Sequence, residues 1–149
     1  MTEPDVEDPY KLIPSVYLLL RRDADVLLLR RANTGYMDGS YNLLAGYIEA
    51  GEPAKDAMVR GAKEEAGITI NPDDLRLLHV GCRYNRDRID LFFITDTWQG
   101  EITNMKPDKC DDLSWYPLAQ LPDTTIPYIR FVLDVISKGA NYSDYLEKI

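Results

Sequence analysis

The sequence predicts an α+β fold, with strands on both sides of a central helix and a second helix near the C-terminus. Three observations carry this. Two apolar, extended segments at residues 13–20 and 26–29 flank the turn-forming run Arg22-Asp23-Ala24-Asp25 and read as a hairpin. Between residues 53 and 66, Ala54, Ala57, Met58 and Ala62 recur at helical spacing. A second hairpin-like pair, residues 75–83 and 88–98, follows that helix, with Tyr84-Asn85-Arg86-Asp87 at its tip.

The remaining elements follow in order. Residues 32–40 form a polar, glycine-containing loop. Residues 41–45 read as a short strand that leads into Gly46. Pro53 suits the first turn of the central helix and Gly67 its end. Residues 68–70 begin a strand, and Asn71-Pro72-Asp73-Asp74 is a turn. A loop rich in Asn, Pro, Lys and Asp spans residues 100–112, and residues 113–116 form a short strand. Thr124 or Thr125 is expected to cap the second helix, with Pro127 early in it. Tyr128, Phe131, Val132, Val135 and Ile136 give that helix its apolar face, and Gly139 ends it. Residues 141–149 carry no clear pattern.

Composition bounds the function. A chain of 149 residues matches one domain, with residues 1–10 read as a flexible leader. No apolar run approaches the roughly 20 residues that cross a bilayer, and the acidic N-terminus does not resemble a secretory signal. Cys82 and Cys110 are far apart and match no metal-ligand spacing, which fits a reducing, cytoplasmic compartment. The net charge of −8 argues against a broad surface for a nucleic-acid polymer. A small phosphorylated ligand held through divalent cations remains compatible, because the metal supplies the positive charge.

The central helix carries the chemistry. At roughly 100° per residue, positions 61, 64 and 65 share one face, and Arg60 borders Glu64 as its i,i+4 neighbour. Neighbouring carboxylates repel one another unless a cation neutralises them, and a hard cation such as Mg²⁺ takes oxygen ligands. Taken alone, two adjacent glutamates on a helix describe a solvated face. The residues around them change that reading.

The stretch 46–68, GYIEAGEPAKDAMVRGAKEEAGI, resembles the signature of the Nudix hydrolases, G-x5-E-x7-R-E-U-x-E-E-x-G-U with U aliphatic. The resemblance implies a Nudix-type α/β/α sandwich with a mixed central sheet. It implies Mg²⁺ (or Mn²⁺) as cofactor and hydrolysis of a pyrophosphate bond in a small nucleoside di- or triphosphate derivative. Glu64 and Glu65 match the metal-binding glutamates. Arg60 matches the arginine that orients them, and Glu52 the acid that pairs with that arginine. Gly51 has a loop role suited to a left-handed backbone. One position departs: Gly61 stands where the family has a third glutamate, a metal ligand or candidate base. Glycine there also costs a helix interior about 1 kcal/mol relative to alanine.

A second departure lies in the loop 104–115. With residues 33–39, it resembles a subgroup whose loop reads N-x-E-P-x-K-C-x-x-L-x-W. The glutamate of that pattern is Lys106 here, which could hold a phosphate instead. Tyr47, beside Gly46, and Arg83, near the hairpin tip with Arg86 and Arg88, are the other expected substrate contacts. Glu101, Asp111 and Asp112 are the acids available as a substitute base. The lone His79 and the residues Phe92, Phe93, Trp98 and Trp115 read as packing. A nucleotide-binding module without efficient turnover is the alternative that Gly61 and Lys106 favour. A purely structural domain is disfavoured by the intact framework around them. A homodimer is the default assembly.

Overall fold

The computed structural model describes residues 8–148, so most of the expected leader, residues 1–7, lies outside the described residues. Eight strands form one sheet: β1 (Ile13–Arg22), β2 (Asp25–Arg31), β3 (Tyr41–Asn42), β4 (Leu44–Tyr47), β5 (Arg76–Arg83), β6 (Arg88–Thr95), β7 (Cys110–Pro117) and β8 (Tyr142–Asp144). The main order is β3-β2-β1-β6-β5-β8, with β4 paired to β1 and β7 to β2. The pairs β1–β6 and β5–β8 are parallel and the rest antiparallel, so the sheet is mixed.

Two helices cover the two faces, α1 (Ala54–Ala66) and α2 (Pro127–Ser137). The strand period of two sorts the side chains between them. Val16, Leu18 and Leu20 of β1, with Leu27 and Leu29 of β2, pack into the core under α1. Tyr17, Leu19, Val26 and Leu28 pack into the core under α2. The α/β/α sandwich expected from the resemblance is the observed architecture.

The first hairpin differs from expectation. Its turn is as read, but β1 and β2 pair only over Arg21↔Val26 and Arg22↔Asp25. Upstream of that, the edges of β1 are taken by β4 and β6, and β2 pairs instead with β7. Residues 68–70 contribute a single bridge, Thr69↔Gln99, and the second hairpin's outgoing strand stops at Thr95. The expected threonine cap of α2 is absent. Ile126 is the capping residue without a side-chain bond, and Thr125 spends its hydroxyl on the Pro122 carbonyl (2.7 Å). The buried face of α2 is centred on Tyr128, Ile129, Val132 and Leu133.

The C-terminal segment that showed no pattern supplies edge strand β8 alongside β5. His79 is a satisfied core residue, bonded to the Ala140 carbonyl (2.9 Å) and Ser143 Oγ (2.7 Å). Phe92 and Phe93 are buried, and Trp98 and Trp115 pack 5.7 Å apart over the α1 core. Among the described residues no helix is long and apolar enough to cross a membrane.

Candidate active site

The loop between β4 and α1 and the first turns of α1 set the site. Gly51 (φ +76°) and Gly67 (φ +70°) take the left-handed backbone that only glycine adopts without strain, one before the helix and one at its C-cap. The Gly67 N–H closes the last turn on the Lys63 carbonyl.

Arg60 ties the loop to the helix. Its Nε and Nη2 donate to the two carboxylate oxygens of Glu52, each at 3.0 Å, and Nη2 also donates to the Tyr47 carbonyl at 2.8 Å. The same guanidinium lies 3.5 Å from Glu64 Oε1. The bonds from Arg60, joined by the Glu49 backbone N–H, hold the Glu52 carboxyl below its usual range. A forked pair of this kind fixes orientation as well as charge. The helix is thereby locked to the strand that precedes it.

Glu64 and Glu65 then diverge. The Glu64 side chain is 47% exposed. Glu65 is partly buried, and its Oε1 accepts the Ala45 backbone N–H at 2.7 Å. Burial pushes the Glu65 carboxyl up to about 7, against the opposing Ala45 bond and the nearby charges of Lys106 and Arg31. Both glutamates line one cleft of about 360 Å³.

That cleft also brings together Tyr47, Arg83 and Lys106, which the sequence singled out, and places Arg60 on its wall. Glu52 does not line it and acts through Arg60. Tyr47 is exposed, with the Arg88 guanidinium 4.9 Å from its ring centre and Arg88 Nη2 bonded to its hydroxyl at 2.9 Å. Arg83 reaches the cleft floor, but its guanidinium is engaged with both oxygens of buried Asp90, at 2.9 and 3.1 Å. Glu101, Asp111 and Asp112 do not line the cleft. Asp111 pairs with Arg30 at 2.6 Å, and Asp112 accepts bonds from Tyr41, Tyr116 and Ser114. Sequence reading did not single out Ser15, Arg31, Asn42 and Glu49, which share the cleft; β1, β2 and β3 bring in the first three from separate segments, and Glu49 lies in the loop between β4 and α1 at a position the signature leaves open.

Gly61 has a structural consequence. It is buried, and a Cβ built there would lie 3.2 Å from the Ala45 carbonyl oxygen. The helix approaches β4 closely at this point, and a glutamate restored at position 61 must push backbone aside. Among the described residues, no three His, Cys, Asp or Glu side chains converge as a metal-binding group. The carboxylates that line the cleft are Glu49, Glu64 and Glu65. A carboxylate held in a cleft with one oxygen bonded and an exposed neighbour beside it suits a hard divalent cation that completes its shell with water or ligand phosphate.

A model of the NUDIX domain matches residues 11–134. The chain belongs to the Nudix family. Members of this family are pyrophosphohydrolases that generally use divalent metals. The chain is 30% identical over 118 residues to the NAD-capped RNA hydrolase NudC of Pseudomonas putida, covering 79% of this chain and 41% of that protein. It is 32% identical over 114 residues to NudC of Pseudomonas aeruginosa, covering 75% and 38%. The match thus spans about two fifths of these relatives' length. Among solved structures it resembles the MutT Nudix hydrolase of Burkholderia pseudomallei (TM-score 0.74, 24% identity, 83% of this chain and 97% of that one). It also resembles the MutT protein of Methanosarcina mazei Go1 (TM-score 0.72, 24% identity, 87% and 95%). At that identity these two structures speak for the fold.

Proposed function

We propose that this protein is a cytoplasmic, Mg²⁺- or Mn²⁺-dependent pyrophosphohydrolase of small nucleoside di- or triphosphate derivatives. The observation that carries the reading is the single cleft in which Glu64 and Glu65 meet Lys106 and Arg31. Carboxylates to hold a cation and cations to receive phosphate face the same space. Water adds to one phosphorus, the bridging P–O bond breaks, and its electron pair leaves on the other phosphate's oxygen. One proton of the water goes to a base; Glu101, Asp111 and Asp112 lie outside the cleft. A bound divalent cation would supply charge neutralisation at the phosphate oxygens. Arg60 and Glu52 keep Glu64 and Glu65 in register, and Tyr47 with Lys106 contacts the substrate. Arg83 stiffens the floor on which the substrate lies.

A nucleotide rather than a long RNA fits the chain's net charge of −8, although NudC relatives are named for capped RNA. A second reading, a nucleotide-binding module with little turnover, is favoured by one observation. Gly61 supplies no carboxylate, and even a Cβ there would lie 3.2 Å from the Ala45 carbonyl oxygen. The test is release of nucleoside monophosphate or phosphate from nucleoside triphosphates, NADH, ADP-ribose, nucleotide sugars and dinucleoside polyphosphates with Mg²⁺. Turnover that falls at least ~100-fold in Glu65→Gln supports hydrolysis. Nucleotide binding with no turnover of any of them sinks it and leaves the binding module.

A further inference from the structure

The loop that carries Lys106 is fastened to the end of α1 that carries Glu65. The Thr103 N–H donates to the Ala66 carbonyl (2.9 Å) and the Met105 N–H to the Glu65 carbonyl (3.3 Å). The Asn104 side chain brackets the turn, accepting from Lys106 N (3.0 Å) and donating to the Cys110 carbonyl (2.7 Å). The Lys106 carbonyl in turn accepts from the N–H groups of Lys109 (2.9 Å) and Cys110 (2.8 Å). The side chain is exposed, on a backbone held by these bonds. Arg31 is placed as firmly, its Nε donating to the Tyr36 carbonyl at 2.7 Å. Lys106, Arg31 and Glu65 line both the main cleft and an adjoining cavity of about 160 Å³ that also takes in Lys109.

Measured against the family pattern, the two departures act in one direction. Gly61 deletes a carboxylate, and Lys106 replaces another with an ammonium. Two carboxylates, Glu64 and Glu65, balance the charge of one divalent ion. A second ion on the Lys106 side would face the Lys106 ammonium and the Arg31 guanidinium, and the remaining carboxylate of the cleft wall, Glu49, lies 3.9 Å from Arg60 Nη1. The work that ion would do, neutralising oxygens of the transferred phosphoryl group, is electrostatic and positional, and a fixed point charge can do it.

Resting on the function proposed above, we propose that Lys106, backed by Arg31, is a built-in cation that takes the place of one divalent ion beside Glu65, so that the cleft engages its diphosphate with a single divalent cation. This role of Lys106 does not depend on which nucleoside is bound.

The experiment counts Mn²⁺ by electron paramagnetic resonance in the presence of adenosine 5′-(α,β-methylene)diphosphate. The full chain, Lys106→Met and Lys106→Glu are compared, and turnover is followed against Mg²⁺ concentration. The expected result is one Mn²⁺ per chain in the parent and in Lys106→Met, and two in Lys106→Glu. Lys106→Met is expected to lose roughly tenfold or more in turnover, unrecovered at high Mg²⁺. Lys106→Glu is expected to recover at high Mg²⁺, with a steeper dependence on its concentration. Two ions in the parent, or parent-like turnover in Lys106→Met, overturns the inference. One bound ion without turnover in the parent supports the ion count and removes the hydrolase reading. No Mn²⁺ bound by any of the three overturns both.

Discussion

Two arginine–carboxylate clusters meet at the cleft, and they differ in completeness. On the floor, Arg83 is forked onto Asp90, its guanidinium lies 4.6 Å from the Tyr128 ring centre, and the Tyr17 and Tyr128 hydroxyls close the group. The side chains of Arg83 and Asp90 are 7% and 0% exposed. Every charge there has its partner. At the rim, Arg60 is divided among Glu52, Glu64 and the Tyr47 carbonyl, and Glu65 holds one backbone bond. The closed cluster is a scaffold. The open one has carboxylate oxygens to spare facing the cleft, and such acceptors are what a cation or phosphate-linked metal satisfies.

The largest effect should come from breaking the closed cluster. Asp90→Leu strands the Arg83 guanidinium in the core and removes the acceptor of the Tyr128 hydroxyl. We expect a loss of about 3–5 kcal/mol in urea denaturation. Adding Arg83→Met to it should recover much of that loss, because a methionine leaves no unpaired charge behind. A double variant no more stable than Asp90→Leu alone would mean that Arg83 contributes to the floor chiefly through Tyr17 and through Glu147, whose Oε1 lies 4.0 Å from Arg83 Nη1.

The open cluster predicts a pH dependence of the metal-free protein. Burial raises the folded-state value of Glu65 to about 7, from 4.5. The folded form therefore binds the proton more tightly than the unfolded one. The stabilisation is complete below the unfolded value and is lost as pH rises through about 7. After discounting for partial exposure, about 2 kcal/mol is at stake. Melting in EDTA should show Tm falling from about pH 4.5 to about pH 7 and levelling off above it, and Glu65→Gln should lack that component. Saturating Mn²⁺ should restore stability at pH 8, since it binds the ionised form. Parallel pH profiles for parent and Glu65→Gln would place the Glu65 carboxyl in free contact with water.

Much of this difference between clusters was legible in the sequence, but only for the open one. Arg60, Glu64 and Glu65 lie on one helix, where spacing sets their relative positions, and the resemblance to the Nudix signature supplied the pairing of Glu52 with Arg60. Arg83 and Asp90 face each other across a hairpin, and Tyr17 and Tyr128 reach them from β1 and α2, so no local pattern announces the group. The same limit explains β8: a three-residue edge strand has too few side chains to show a period. It explains Gly61 as well. The sequence shows a missing carboxylate, whereas the close approach to the Ala45 carbonyl appears only once β4 is packed against the helix.

Glu52 sharpens the comparison from the rim. It does not line the cleft and bonds neither Glu64 nor Glu65, and Glu52→Gln keeps its shape while weakening the fork to Arg60. An outer partner of this kind is worth roughly 10-fold or more in metal affinity or turnover. The expected signature is a weaker Mn²⁺ titration with little change in Tm. A large loss of Tm instead would make Glu52 a scaffold residue like Asp90.

The smallest effect should lie at Tyr47, which belongs to neither cluster. Its ring is exposed and is held from one side by Arg88, whose other terminal nitrogen bonds Ser15 Oγ at 3.1 Å. A cation against an exposed ring is worth about 0.5–1 kcal/mol. Tyr47→Ala should therefore raise KM by roughly 2- to 5-fold, through loss of the ring as a surface for the substrate and of a support for Arg88. Turnover number should stay unchanged, because Tyr47 contacts Arg60 only through its backbone carbonyl, which alanine retains. Tyr47→Phe separates the two contributions. It keeps the ring and loses the 2.9 Å bond to Arg88. A KM near the parent's assigns the effect to the ring face, and a KM matching Tyr47→Ala assigns it to the placement of Arg88. A fall in kcat in either variant would extend the open cluster to include the tyrosine and move the boundary between scaffold and site.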